Sequence, residues 1–218
     1  MRKPSPRMTS EEPLDPAHFL QLAAVDFSGI YAVHLAAKDE RLKMTRLAMS
    51  LLSVPFVAAT ALASTGVIHP SNLTQWASVP PYLFALVAIF GVFGILPYLR
   101  LIEAVNAHGR TARALNNFRL LYVTRLKDEL DWQPNLPVDP RFPETFAPLT
   151  WPGINVMMMA IVNSAYLTIG ITGLSGAEPD ALLLVISIGL VSLVHYLVYY
   201  VRCNVTRRRR LPHDILEI

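Results

Sequence analysis

The sequence predicts an all-α membrane protein of four transmembrane helices, with both termini on the cytoplasmic side. Three observations carry that prediction: four long blocks without a charged residue, a one-sided placement of Lys and Arg, and aromatic residues at the block ends. Composition agrees. Hydrophobic residues make up 53% of the 218 and charged residues 16%, where a soluble domain carries about 25% charged residues.

Residues 47–68, 81–99, 151–174 and 181–201 form the four blocks. A bilayer crossing needs about 20 apolar residues, and each block has roughly that length with no Asp, Glu, Lys or Arg. The connections alternate in character. HPSNLTQWASVPP, between the first two blocks, is uncharged, and SGAEPD, between the last two, has acids and no base. All 19 Lys and Arg residues fall before the first block, between the second and third, or after the fourth. Cytoplasmic loops are enriched in these bases, so the positive-inside rule places both termini and the central loop inside. Trp76 and Tyr82 flank the outer end of the second block, and Tyr98, Trp151, Tyr199 and Tyr200 mark inner ends. Such rings favour the headgroup zone, apolar body buried and polar tip wet.

The flanking segments follow from the same reading. Residues 1–15 are polar and proline-rich and are expected to be disordered. Within the segment 16–46, residues 16–37 are apolar on nearly every side yet hold Gln21, Asp26 and His34. They are read as a helix at the inner interface, packed against the bundle. A fifth crossing by this segment would bury Asp26 and leave Arg2, Lys3 and Arg7 outside. In the central loop, residues 100–150, the second helix is expected to run on to about Trp132. Leu115, Phe118, Tyr122, Leu126 and Leu130 recur there at helical spacing, with a bend at Gly109. Pro134, Pro137, Pro140, Pro143 and Pro148 make the rest an extended connector. Residues 202–218 form a basic cytoplasmic tail containing Arg207 to Arg210.

Candidate chemistry is sparse. Asn163 and Ser164 sit halfway along the third block; Ser192, His195 and Tyr199 make a polar stripe on the fourth, the last two sharing a face. In a bundle such groups either glue helices together or line a pore. His195 could relay a proton or ligate haem, but no other block has an internal histidine to complete a haem site. Ala59 with Ala63, Thr60 with Ser64, Ala160 with Ser164, and Gly91 with Gly94 are small-residue pairs that let helices approach. The lone Cys203 excludes an intramolecular disulfide and reads as an incidental thiol, with juxtamembrane acylation as the alternative. Asn72-Leu73-Thr74 is a glycosylation pattern that reads as an ordinary polar loop. No phosphate loop, HExxH, nucleophile elbow or cysteine pair is present. No cofactor or metal is expected.

The most distinctive stretch is RTARALNNFRLLYVTRLKDELDW. Arg110, Arg113, Asn117, Arg119 and Arg125 are its candidate contacts to anionic lipid headgroups or to a partner, worth about 1 kcal/mol per base at a membrane surface. Nucleic-acid binding is the weaker use, since a basic run beside a membrane helix is first a topology signal. The run Arg113-Ala114-Leu115-Asn116, followed by Arg119 and Tyr122, resembles a juxtamembrane helix of small uncharacterised bacterial multi-pass inner-membrane proteins. That resemblance implies a bacterial inner membrane and no particular activity. The expected function is a non-enzymatic membrane subunit (a scaffold, sensor or adaptor) acting through its basic helix and self-associating. A homo-oligomeric pore lined by Asn163, Ser164, Ser192 and His195, such as a stress or defence effector, is the alternative. A membrane enzyme or haem protein is the third reading.

Overall fold

The computed structural model describes residues 16–66, 76, 79–126, 139, 141–176, 178 and 180–208. Four helices account for most of them: α1 (Pro16–Ser64), α2 (Pro81–Leu126), α3 (Trp151–Leu174) and α4 (Ala181–Arg208). No strand occurs among the described residues. All four helices are long and apolar enough to cross a membrane, and the protein is a multi-pass membrane protein in that sense. The segment 1–15, the Asn72-Leu73-Thr74 triplet, residues 127–138 and Arg209–Arg210 lie outside the described residues, as do the side chains of Tyr122, Arg125, Leu126, Arg207 and Arg208.

The predicted blocks and the helices agree where local signals are strong. α2 starts at Pro81 and α3 at Trp151. Thr150 caps α3, its hydroxyl accepting from the Gly153 amide, and Pro152 occupies the first turn, where its missing N–H costs nothing. After α1, Thr65 and Gly66 turn the chain away; Gly66 adopts φ +73°, a left-handed conformation that suits glycine.

The structure differs from expectation at α1. Residues 16–46 are not a separate helix but the first part of one 49-residue helix that runs into the first apolar block. The physical reason is local. Neither glycine nor proline stands between Gly29 and Pro55, and the Lys38-Asp39-Glu40-Arg41 run that divides the two segments is itself compatible with a helix. α2 likewise continues through Pro97 and Gly109 for 46 residues. At 1.5 Å per residue each of these helices is about 70 Å long, more than twice the hydrocarbon thickness of a bilayer. Half of each must therefore project beyond the charge-free block.

The projecting halves pair antiparallel. Phe27 meets Phe118 with ring centroids 5.6 Å apart, and His34 stacks on His108 at 4.7 Å. Along α1 one row of sheltered positions runs through Ala23, Phe27, Ile30, His34, Ala37, Arg41, Met44 and Ala48, with Thr45 and Met49 half-buried beside it. The spacing of that row alternates four and three, the heptad seam that keeps one helix facing its partner. α3 is the centre of the membrane half: 44% of its most apolar window is buried, against 6% for α4. Glycines bring α2 and α3 together. A Cβ at Gly170 would lie 2.5 Å from the Ala88 amide nitrogen, and one at Gly91 would lie 2.8 Å from the Leu167 nitrogen. Close backbone approach through small residues is how membrane helices gain packing when lipid removes the hydrophobic drive. By contrast, Ala59, Thr60, Ala63 and Ser64 are exposed.

Candidate functional site

The intramembrane candidates fall into one buried cluster and two outliers. Asn163 and Ser164 are fully buried, and His195 is 8% exposed. The Asn163 amide Nδ2 lies 3.1 Å from His195 Nε2. An amide nitrogen only donates, so Nε2 accepts. His195 Nδ1 lies 2.9 Å from the Val191 carbonyl and 3.2 Å from Ser164 Oγ. Ser164 gives its own proton to the Ala160 carbonyl at 2.7 Å, so its oxygen accepts. The bonds therefore fit the tautomer with its proton on Nδ1. Tyr98 of α2 closes the cluster, donating to the His195 carbonyl at 2.5 Å with its ring edge-on to the imidazole. Gly94 makes room for Asn163: a Cβ there would lie 2.0 Å from Oδ1. These contacts join α2, α3 and α4 at one point of the bundle.

Tyr199 shares the face of His195 but serves another contact. It is 1% exposed, and its ring packs on Phe146 at 5.0 Å. Phe146 also meets Tyr196 and Tyr200, so three aromatics of α4 hold the end of the connector. Ser192 makes no hydrogen bond with the cluster, and its Oγ is buried without a partner among the described residues. Cys203 is fully buried and donates to Asn106 Oδ1 at 3.2 Å, a placement that leaves the thiol inaccessible to acylation.

At the other end, where the Lys and Arg residues gather, the distinctive stretch of α2 holds the connector. Arg113 Nη1 donates to the Pro143 carbonyl at 2.7 Å. Asn116 Nδ2 donates to the carbonyls of Phe142 at 2.8 Å and Asp139 at 3.2 Å, and Arg119 Nη1 donates to Asn116 Oδ1 at 3.2 Å. Sequence reasoning singled out Asn117, which is exposed; the working amide is Asn116, 4% exposed. The signal that distinguishes them is phase, since Asn116 adjoins Leu115 on the inward face of the helix. Arg110 lies on a different wall, at the basic end of an apolar hollow of about 960 Å³ between α1 and α2.

The connector, α1 and α2 border an open cavity of about 390 Å³. Arg41, Arg113, Arg119, His34 and His108 all line it, yet sequence reasoning attached no role to Arg41 or His108. Thr111 holds the His34 imidazole. Its hydroxyl donates to the His108 carbonyl at 2.9 Å and so accepts from His34 Nδ1 at 3.2 Å. Burial, then the charges of Arg119, Lys38 and Arg41, hold the His34 pKa below the ordinary histidine range. Burial first, with Arg41, His34 and Lys38 behind it, pushes that of His108 down to about 4. Among the described residues no group of three or more His, Cys, Asp or Glu gathers as metal ligands would.

The chain matches no known protein family, no curated protein and no solved structure.

Proposed function

We propose that the protein is a non-enzymatic subunit of a bacterial inner membrane, with both termini cytoplasmic, that self-associates and acts through the paired helices at its basic end. The observation that carries this reading is the outer face of α1. Beyond the charge-free block, Leu22, Val25 and Val33 are 57%, 68% and 59% exposed, while the heptad seam opposite them packs on α2. Apolar side chains repeated along a helix that projects from the membrane favour a covering partner. The orientation rests on the positive-inside rule, and the bacterial membrane on the juxtamembrane resemblance.

The geometry favours packing over conduction for the intramembrane polar residues. Asn163 and Ser164 are enclosed by their own chain, whereas a pore lining faces the oligomer axis. Mass measurement of the protein extracted into native nanodiscs tests the proposal. Two or more copies, or a stable complex with another polypeptide, is the expected result, and Val25→Asp with Val33→Asp should break it. A monomer that neither changes with concentration nor responds to those substitutions would overturn the reading. Ion flux in liposomes that Asn163→Leu abolishes would replace it with the pore.

A further inference from the structure

We propose that the cavity between α1, α2 and the connector binds a phosphate-type dianion, held by Arg41 and Arg119 with the imidazoles of His34 and His108 beside them. Arg41 and Arg119 come from different helices, line the same cavity and are only partly exposed. Among the described residues neither meets a carboxylate; the ion pairs there join Glu103 to Arg100 and to Arg202 on the exterior. A partly buried cation without a counter-ion is costly, and proteins place such groups where a ligand supplies the charge. Among the described residues Glu144 is the one carboxylate on the lining, and it is exposed.

The number of donors points to the ligand class. A carboxylate is satisfied by a single guanidinium fork. Two forks from separate helices, with the His108 imidazole beside them, suit an anion that offers three or four oxygens. Arg119 gives one N–H to Asn116, and a guanidinium carries five. His108 Nδ1 is buried with no partner among the described residues, so the ring has an atom still to satisfy. The volume, about 390 Å³, admits a phosphate together with an organic substituent. That substituent could belong to a lipid headgroup or to a soluble phosphomonoester, and the test separates them. The site does not depend on what covers the outer face of α1.

The experiment uses the full chain in phosphatidylcholine nanodiscs and reads the thermal unfolding midpoint as inorganic phosphate replaces chloride at constant ionic strength. A parallel arm uses nanodiscs doped with phosphatidic acid. The midpoint should rise in at least one arm. Arg41→Gln and Arg119→Gln should each remove the rise, and Arg46→Gln, an exposed position of α1, should keep it. Arg41→Lys keeps the charge and the helix but loses the fork, and should weaken binding about tenfold. A rise with free phosphate alone identifies a soluble ligand. A rise with phosphatidic acid that free phosphate does not increase identifies a headgroup. No rise in either arm, or an equal rise in wild type and both glutamine variants, overturns the proposal.

A second readout uses sulfate, whose charge is constant across the range. The groups facing His108 are Lys38, Arg41 and His34 on α1, Arg113 and Arg119 on α2, and Glu144 on the connector. Burial is the main reason the imidazole stays unprotonated, with Arg41 and Lys38 behind it; a bound dianion favours the charged ring against both, so binding takes up a proton. Sulfate should then bind roughly tenfold more tightly at about pH 5.5 than at about pH 7.5, and His108→Gln should flatten that dependence. Equal pH dependence in wild type and His108→Gln overturns the part given to that imidazole.

Discussion

The α2–α3 seam and the α1–α2 pair beyond the charge-free blocks are both helix–helix contacts, but they are built from opposite materials. The seam is thin, although Asn163 Oδ1 and Thr168 Oγ1 are buried there without a partner among the described residues. Gly91, Gly94 and Gly170 remove the side chains that would hold the backbones apart, and Asn163, Ser164 and His195 bond to one another or to backbone. The projecting pair meets through side chains, and its heptad seam contains His34 and Arg41 where a simple coil would place aliphatic residues. Polar groups in hydrocarbon must find partners within the protein, so the first contact uses them for cohesion. Beyond the charge-free blocks the second contact gathers Arg41 and Arg119 around a cavity without a carboxylate at either among the described residues. Polar residues in the two halves of this chain therefore mean different things, although a list of residue types would not separate them.

The largest effect that sharpens this contrast is expected at Gly170. Valine there puts a branched side chain against the Ala88 backbone, which cannot rotate away as a side chain can. Gly170→Val should destabilise the bundle by about 3 kcal/mol, the upper range for overpacking a close contact, read by reversible unfolding in mixed micelles. The same substitution at Gly189, which has nothing within 4 Å of a built Cβ, should change stability far less. Equal losses at the two glycines would show that the seam is not the close contact described.

Next comes the response to acid. The folded state holds His108 near 4 and His34 below its ordinary range, while the unfolded chain titrates near 6.5. Below about pH 6.5 the unfolded state binds more protons, so stability is full above that pH and is lost as the pH falls from about 6.5 through about 4. Hydrogen exchange of α1 amides around residues 30–45 should accelerate over that window in the absence of added anion. The α3 amides should respond much less, and His108→Gln should reduce the acceleration. A uniform response along the chain would erase the distinction between the two halves.

The smallest effect is expected at Gly29. A Cβ there has nothing within 4 Å, and the position lies inside a continuous helix. Gly29→Ala should stabilise α1 by up to about 1 kcal/mol through helix propensity alone. Slower hydrogen exchange in the first turns of α1 checks it. A loss of stability would mean that residue 29 sits at a functional bend.

The parts of this architecture written in strong local signals were readable from sequence. The four apolar blocks, the Pro81 and Trp151 starts, and the Gly91/Gly94 thin face are examples. The continuity of α1 was harder to read, because the Lys38 to Arg41 run looks like a boundary when hydropathy is the only guide. The heptad through Ala23, Phe27, Ile30, His34, Ala37 and Arg41 was present but includes polar residues, so an apolar-stripe search passes over it. Grouping Asn163 and Ser164 with His195 required knowing which helices touch, since those residues are 32 and 31 positions apart. The cavity was least legible of all. It joins Arg41 to Arg119 and Pro143 through tertiary contacts, and nothing in the spacing of those residues forecasts it.

The most direct test of the central claim is a double-mutant cycle between Asn163 and His195, with each replaced by leucine and unfolding measured in a membrane-mimetic medium. If the cluster works by cohesion, the pair should be coupled by about 1 kcal/mol, as interhelical hydrogen bonds in membranes are. Additive losses, with a coupling near zero, would contradict that assignment and return these residues to the search for a function.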